Sequence, residues 1–221
     1  MHRFDTILFD LDGTLTDPAL GITNSVMYSL EKFGVPVPDR TELYPFIGPP
    51  LLDSYMERFG MTKEEAEQAI AYYREYFKEK GLFENTPYPG ISEMLAALKA
   101  AGKRLYLATS KPIVFAERIL EHFSLAPYFN GAVGATLDGK LSEKEDVIAE
   151  ALRRYQITDL SHTAMVGDRK FDILGAKKNH LISVGVLFGY GSREELTEAG
   201  ADHLAETVDD LRNILSYGND L

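Results

Sequence analysis

Asp10-Leu11-Asp12-Gly13-Thr14 places two carboxylates one residue apart, directly after the apolar run Ile7-Leu8-Phe9. That run reads as a buried strand, so the acids fall at its C-terminal end. Gly13 then lets the chain turn away. Two neighbouring anions repel unless a cation joins them or one of them holds a proton. A divalent metal and a phosphate ester make sense of the pair: one carboxylate attacks phosphorus and the other carries a proton.

Three later segments could complete such chemistry. Thr109-Ser110 follows the apolar Leu105-Tyr106-Leu107-Ala108. A hydroxyl and backbone N–H groups at a helix start bind phosphate oxygens, although the same residues would serve as a plain cap before Pro112. Lys144 lies near a predicted helix start, where a cation opposes the helix dipole. It could neutralise phosphate and the attacking carboxylate; a surface role is the alternative, and Lys140 is the competing lysine. Asp168 and Asp172 follow Ala164-Met165-Val166. Acids four apart share one face of a helix, and as a pair they suit a hard cation, above all Mg2+. The competing reading makes Asp168 a helix cap and Asp172 a solvated acid. The glycine-rich stretch Gly185–Gly191 lacks dinucleotide-binding spacing. The histidines are scattered. Glu64-Glu65 and Glu194-Glu195 read as solvated helix faces. Each segment alone admits a structural role; together they supply nucleophile, hydroxyl, cation and metal ligands at strand ends or helix starts.

The elements that must position these residues alternate after residue 87. Strands are expected at Arg104–Thr109, Gly131–Gly134, Thr163–Gly167 and Ile182–Leu187. Helices are expected at Gly90–Ala101, Pro112–Phe123, Ser142–Tyr155, Arg169–Asn179, Glu194–Ala199 and Asp209–Ser216. Repeated βα units imply an α/β fold with a mainly parallel sheet, whose ligands bind at the C-terminal strand ends. Residues 16–86 read as helical throughout: Leu20–Phe33 closed by Gly34, a short helix after Asp39 with Glu42 completing its cap, Leu51–Phe59, and Thr62–Lys80 stopping at Gly81. The division expected is 1–15 with 87–221 as the core and 16–86 as an inserted helical domain.

Composition narrows the class. The chain has 221 residues, no cysteine and a formal net charge of −11. Thiol catalysis, disulfides and thiolate metal sites are excluded, and a reducing, cytoplasmic setting is expected. The charge argues against nucleic acid or anionic membrane as partner and makes a local cationic site necessary for an anionic substrate. No apolar run approaches a membrane span. Met1-His2-Arg3-Phe4-Asp5 leads straight into the first strand, so no signal peptide is expected.

Asp10-Leu11-Asp12-Gly13-Thr14-Leu15, Ala108-Thr109-Ser110-Lys111-Pro112, Lys144 and Val166-Gly167-Asp168-Arg169-Lys170-Phe171-Asp172 together resemble the haloacid dehalogenase-type phosphohydrolases. The likeness spans essentially the whole chain and implies a Rossmann-like core with a helical cap inserted after the first strand, as in the phosphoglycolate-phosphatase-like branch. Ser110 stands where close relatives often carry asparagine, and Lys144 is matched by position. The resemblance implies Asp10 as nucleophile, forming an aspartyl-phosphate, and Asp12 as acid and then base. It implies Leu11, Thr109, Ser110 and Lys144 on the substrate phosphate. Mg2+ would be held by Asp10, the Asp12 carbonyl, Asp168 and Asp172. The implied activity is hydrolysis of a small phosphate monoester such as phosphoglycolate, a sugar phosphate or a nucleoside 5'-monophosphate, by a monomer or weak homodimer. A phosphomutase on the same scaffold is the alternative. Phe46–Leu51 is the expected site-facing loop of the insert, and Arg58 and Arg74 are its candidate specificity cations.

Overall fold

The first apolar run forms β1 (Thr6–Phe9), all four residues of which are buried. In the computed structural model, which describes residues 4–217, the chain passes from β1 through a turn at Asp10–Thr14 into β2 (Thr16–Asp17). It then forms α1 (Ala19–Phe33), α2 (Leu51–Phe59) and α3 (Lys63–Tyr76), and leaves this segment through β3 (Thr86–Pro87). Contacts divide the chain into two units, Met1–Thr16 with Pro87–Leu221, and Asp17–Thr86. Met1–Arg3, including His2, lie outside the described residues, so the reading of a leaderless start rests there on sequence alone.

Within the helical unit the caps follow the sequence signals. Gly34 closes α1 in the left-handed conformation at φ 69°. Thr62 and Glu65 cap α3 reciprocally, with Thr62 N donating to Glu65 Oε2 at 2.8 Å and Glu65 N to Thr62 Oγ1 at 3.3 Å. Glu65 is thus the capping partner that the capping-box pattern Thr62-Lys63-Glu64-Glu65 implies, and not only part of a solvated acidic face. The element after Asp39 is a 3-10 helix, Arg40–Phe46, in keeping with Pro45 inside it. The helix expected to run to Lys80 ends at Tyr76 and widens into a π-helical turn, Phe77–Gly81. That turn brings the Gly81 carbonyl so close to α1 that a Cβ on Gly21 would lie 1.9 Å from it. Phe46 and Ile47 are buried, Phe46 packing edge-on against Tyr55 at 5.1 Å between centroids. Arg58 is exposed and Arg74 partly buried.

The other unit continues as α4 (Ile91–Ala100), β4 (Arg104–Pro112), α5 (Ile113–His122), β5 (Gly131–Ala135), α6 (Lys144–Arg154), β6 (Thr163–Gly167), α7 (Lys170–Lys178), β7 (Ile182–Val186), α8 (Arg193–Glu198), β8 (His203–Ala205) and α9 (Val208–Tyr217). The strands order as β5-β4-β1-β6-β7-β8, and all five pairings are parallel. Leu8, Tyr106, Val133 and Met165 from neighbouring strands pack on Val147, Ile148, Ala151 and Ala176 of α6 and α7. The fold is α/β and Rossmann-like. The segment 16–86 is not helical throughout, since β2 and β3 at its ends pair as a two-stranded sheet. Two strands of the larger sheet also differ from expectation. Strand β4 runs three residues past Thr109, so Pro112 precedes α5 rather than opening it. Strand β8 is not expected from the sequence, because three residues give no readable alternation. Among the described residues no helix is long and apolar enough to cross a membrane.

Candidate active site

Strand order brings the chemistry-bearing segments together. β1 lies between β4 and β6, so Asp10 and Asp168 sit just past the C-terminal ends of β1 and β6, and Thr109 lies beside them three residues before the end of β4. Asp10 N continues the ladder by donating to Val166 O at 2.9 Å. Lys144, the first residue of α6, reaches across: its Nζ lies 2.7 Å from Asp10 Oδ1 and 2.8 Å from Asp172 Oδ1. It also donates to Ala108 O at 3.4 Å. Its place at a helix start, unfavourable by dipole, is explained by these two carboxylates. Gly175 on α7 permits the approach, since a Cβ there would come within 3.3 Å of Lys144 Cγ. The competing Lys140 is 85% exposed and pairs with Asp138 at 2.9 Å, away from this cluster.

Asp10, Asp168 and Asp172 offer carboxylate oxygens that all lie within 4.8 Å of one another, and all three residues are buried. The Asp168/Asp172 spacing works differently from the expectation of one shared helix face. Asp168 precedes α7, whereas Asp172 sits in its first turn and accepts from Arg169 N at 3.1 Å. The Asp12 carboxylate stands apart from this trio and pairs instead with Lys111, Nζ to Oδ2 at 2.7 Å. Thr109 is buried and its Oγ1 accepts from Lys111 N at 3.2 Å rather than capping α5. Ser110 is half-buried beside it, and Leu11 is fully buried, its carbonyl closing the turn with Leu15 N at 2.9 Å.

Burial shapes the electrostatics. It pushes the Asp168 carboxyl well above the usual carboxylate range, and Asp172 and Asp10 push the same way. Burial also lifts Asp172, to about 6, although Lys144 opposes it. Burial would lower Lys144, but Asp10 and Asp172 outweigh it and hold the ammonium above the ordinary lysine range. Asp12 is raised by burial despite the adjacent Lys111. Burial thus favours the protonated forms of Asp168 and Asp172.

Two parts of the site escaped the sequence reading. One is Lys111. The other is the loop after β7, which had shown only that it lacked dinucleotide spacing. Tyr190 N donates to Asp168 Oδ2 at 2.8 Å. A Cβ on Gly189 would lie 2.4 Å from Asp168 Cβ, and one on Gly191 would lie 1.9 Å from Asp168 O. Gly13, at φ 77°, meets Asp168 from the other side, with a Cβ position 2.1 Å from its Oδ2. Asp168 is thus clamped between two glycine-dependent turns. Glu195, read as solvated, accepts from Arg169 Nε at 2.9 Å and Lys170 N at 2.8 Å, anchoring the start of α7.

The donor set fits a hard divalent cation. It is all carboxylate oxygen, Asp168 Oδ1 is buried without a hydrogen-bond partner, and three carboxylates face one ammonium. A dication would complete the charge balance.

The model of the haloacid dehalogenase-like hydrolase family matches residues 7–186. A 5'-nucleotidase of Pseudomonas aeruginosa is 43% identical over 96% of this chain and 96% of its own. Tyrosine-protein kinase PtkA of Mycobacterium tuberculosis is 38% identical over 95% of this chain and 72% of its own. A crystal structure of a predicted phosphatase from Clostridium acetobutylicum superposes with a TM-score of 0.92 at 53% identity, covering 95% of this chain and 97% of that one. The family match takes in every strand end from Asp10 to Asp172 that the site uses, and the chain belongs to the haloacid dehalogenase-like hydrolase family.

Proposed function

We propose that the chain is a Mg2+-dependent phosphatase that hydrolyses a small phosphate monoester through a phosphorylated Asp10. The observation that carries this reading is the buried Lys144 ammonium joining Asp10 and Asp172 beside Asp168. The arrangement offsets the repulsion that would otherwise keep a carboxylate from phosphate. Asp10 attacks phosphorus, the ester P–O bond breaks with its electron pair going to the leaving oxygen, and that oxygen takes a proton from Asp12. The Asp12 carboxylate then takes a proton from water, whose oxygen attacks phosphorus, and the bond to Asp10 breaks with its pair returning to the carboxylate. Asp12, raised by burial, suits a group that must hold a proton and then release it.

Leu11 N–H, Thr109 and Ser110 would hold the non-bridging oxygens, with Lys144 adding positive charge. Mg2+, held by Asp10, Asp168, Asp172 and the Asp12 carbonyl, would supply Lewis-acid stabilisation of phosphoryl charge. The core is assigned to 1–15 and 87–221, and the helical segment 16–86 is assigned as the cap that selects among substrates. A nucleoside 5'-monophosphate leads the candidates, on the strength of the Pseudomonas 5'-nucleotidase; phosphoglycolate and sugar phosphates follow. The test is a screen of several dozen phosphate monoesters with Mg2+, read as inorganic phosphate release. Release by the wild type and none by Asp10→Asn is expected. Turnover that isomerises the substrate and retains phosphate would point to a phosphomutase, and steady-state release by Asp10→Asn would reject the nucleophile.

A further inference from the structure

Lys111 is a buried cation that the mechanism above leaves unused. Three features aim it. In the β4–β5 pairing Thr109 stands opposite Gly134 and Pro112 opposite Ala135, so Ser110 and Lys111 are extra residues in a bulge. Gly134 makes room for that bulge, because a Cβ there would lie 2.6 Å from Lys111 O. Thr109 Oγ1 accepts from Lys111 N at 3.2 Å. The outcome is a lysine side chain only 5% exposed, with Nζ 2.7 Å from Asp12 Oδ2. Burying an ammonium is costly without such a partner. The two Asp12 oxygens are then unequal: Oδ2 is held by the ammonium, while Oδ1 is buried with no hydrogen-bond partner.

We propose that Lys111 is a positioning residue that locks Asp12 through Oδ2 and so commits its proton exchange to Oδ1. The proposal rests on the reading of Asp12 as the proton carrier. A proton on Oδ2 would face an ammonium that accepts nothing, so the acid proton resides on Oδ1. There it passes to the leaving oxygen as the ester P–O bond breaks. In the second step the same oxygen takes a proton from water. Without Lys111 the carboxyl rotates, and the acid is no longer presented in one orientation.

Leaving-group dependence tests this. An aryl ester such as 4-nitrophenyl phosphate leaves as a stable anion and needs little protonation, whereas an alkyl ester such as glycerol 2-phosphate needs the acid. The value of kcat/KM reports steps up to phosphoryl transfer to Asp10, so it isolates the acid step. Lys111→Met is expected to lower kcat/KM for the alkyl ester by roughly 10²–10⁴-fold, the span of general acid catalysis, and for the aryl ester by less than about tenfold. Lys111→Arg should recover part of the alkyl loss, and it replaces Lys111→Met if that variant does not fold. The thermal shift on adding Mg2+ should match wild type, showing an intact acid cluster. Equal losses for both esters in Lys111→Met, with selective loss in Asp12→Asn, would overturn the role of Lys111 alone. Equal losses in Asp12→Asn as well would overturn the assignment of Asp12 itself.

Discussion

Lys144→Met removes the charge that joins Asp10 to Asp172 while keeping a side chain of similar reach. In the wild type that ammonium is 5% exposed and lies 2.7 and 2.8 Å from its two carboxylates. Its loss leaves Asp10, Asp168 and Asp172 buried within 4.8 Å of one another with no cation among them. Removing one partner of a buried ion pair costs about 3–5 kcal/mol. For a chain of this size each kcal/mol moves Tm by roughly 2–4 °C, so EDTA-treated Lys144→Met should melt roughly 6–20 °C below wild type. Two further readouts separate charge from packing. The gap should narrow as pH falls, because the stranded carboxylates protonate. Mg2+ should raise Tm more in the variant than in wild type, since the dication meets a more anionic cluster. With saturating Mg2+, phosphatase kcat/KM should still fall by roughly 10²–10³-fold, the usual effect of removing one donor to a developing anion. Differential scanning fluorimetry with and without EDTA across pH, alongside phosphate-release kinetics, measures all of this. A variant with wild-type Tm in EDTA, or a gap that pH leaves unchanged, would refute the role assigned to this ammonium.

Other outcomes follow from the same geometry. Gly13→Ala forces a left-handed backbone and sets a methyl 2.1 Å from Asp168 Oδ2, so Mg2+ affinity measured by calorimetry should weaken by roughly 10–100-fold. Asp172 is raised to about 6, above its unfolded value, so the folded chain holds this proton where the unfolded chain has lost it, and the associated stability declines as pH rises through about 6. In EDTA, Tm of Asp172→Asn relative to wild type should therefore climb over that interval; a flat difference would contradict the shift. Lys140→Ala should leave both Tm and turnover unchanged, because Lys140 is exposed and pairs with exposed Asp138. A large loss of activity there would reopen the choice between the two lysines.

The strand ends were legible because apolar runs declare themselves without reference to anything distant. Ile7–Phe9 and Ala164–Val166 end at Asp10 and Gly167, and the parallel order sets them side by side. Lys144 was readable as a cation misplaced at a helix start, and its carboxylate partners explain it. Lys111 was not, because Thr-Ser-Lys-Pro reads locally as a helix start; its direction comes from a bulge that exists only in pairing with β5. The Gly189-Tyr190-Gly191 loop carries no local signal for a similar reason. Its glycines matter only because β7 lies next to β6, which puts the loop against Asp168. Asp168 and Asp172 were grouped correctly on an incorrect picture of one helical face, since one of them lies outside the helix. Single-sequence periodicity reports local elements; the clamps around the acids are products of strand order.

Chemical trapping at position 10 tests the mechanism most directly. Wild-type protein mixed with an aryl phosphate and Mg2+, quenched during turnover and reduced with borohydride, should carry homoserine in place of aspartate at residue 10, identified by peptide mass spectrometry. Omitting substrate should leave the peptide unchanged. Homoserine found at another aspartate, or an unmodified residue 10 in protein actively releasing phosphate, would contradict attack by Asp10.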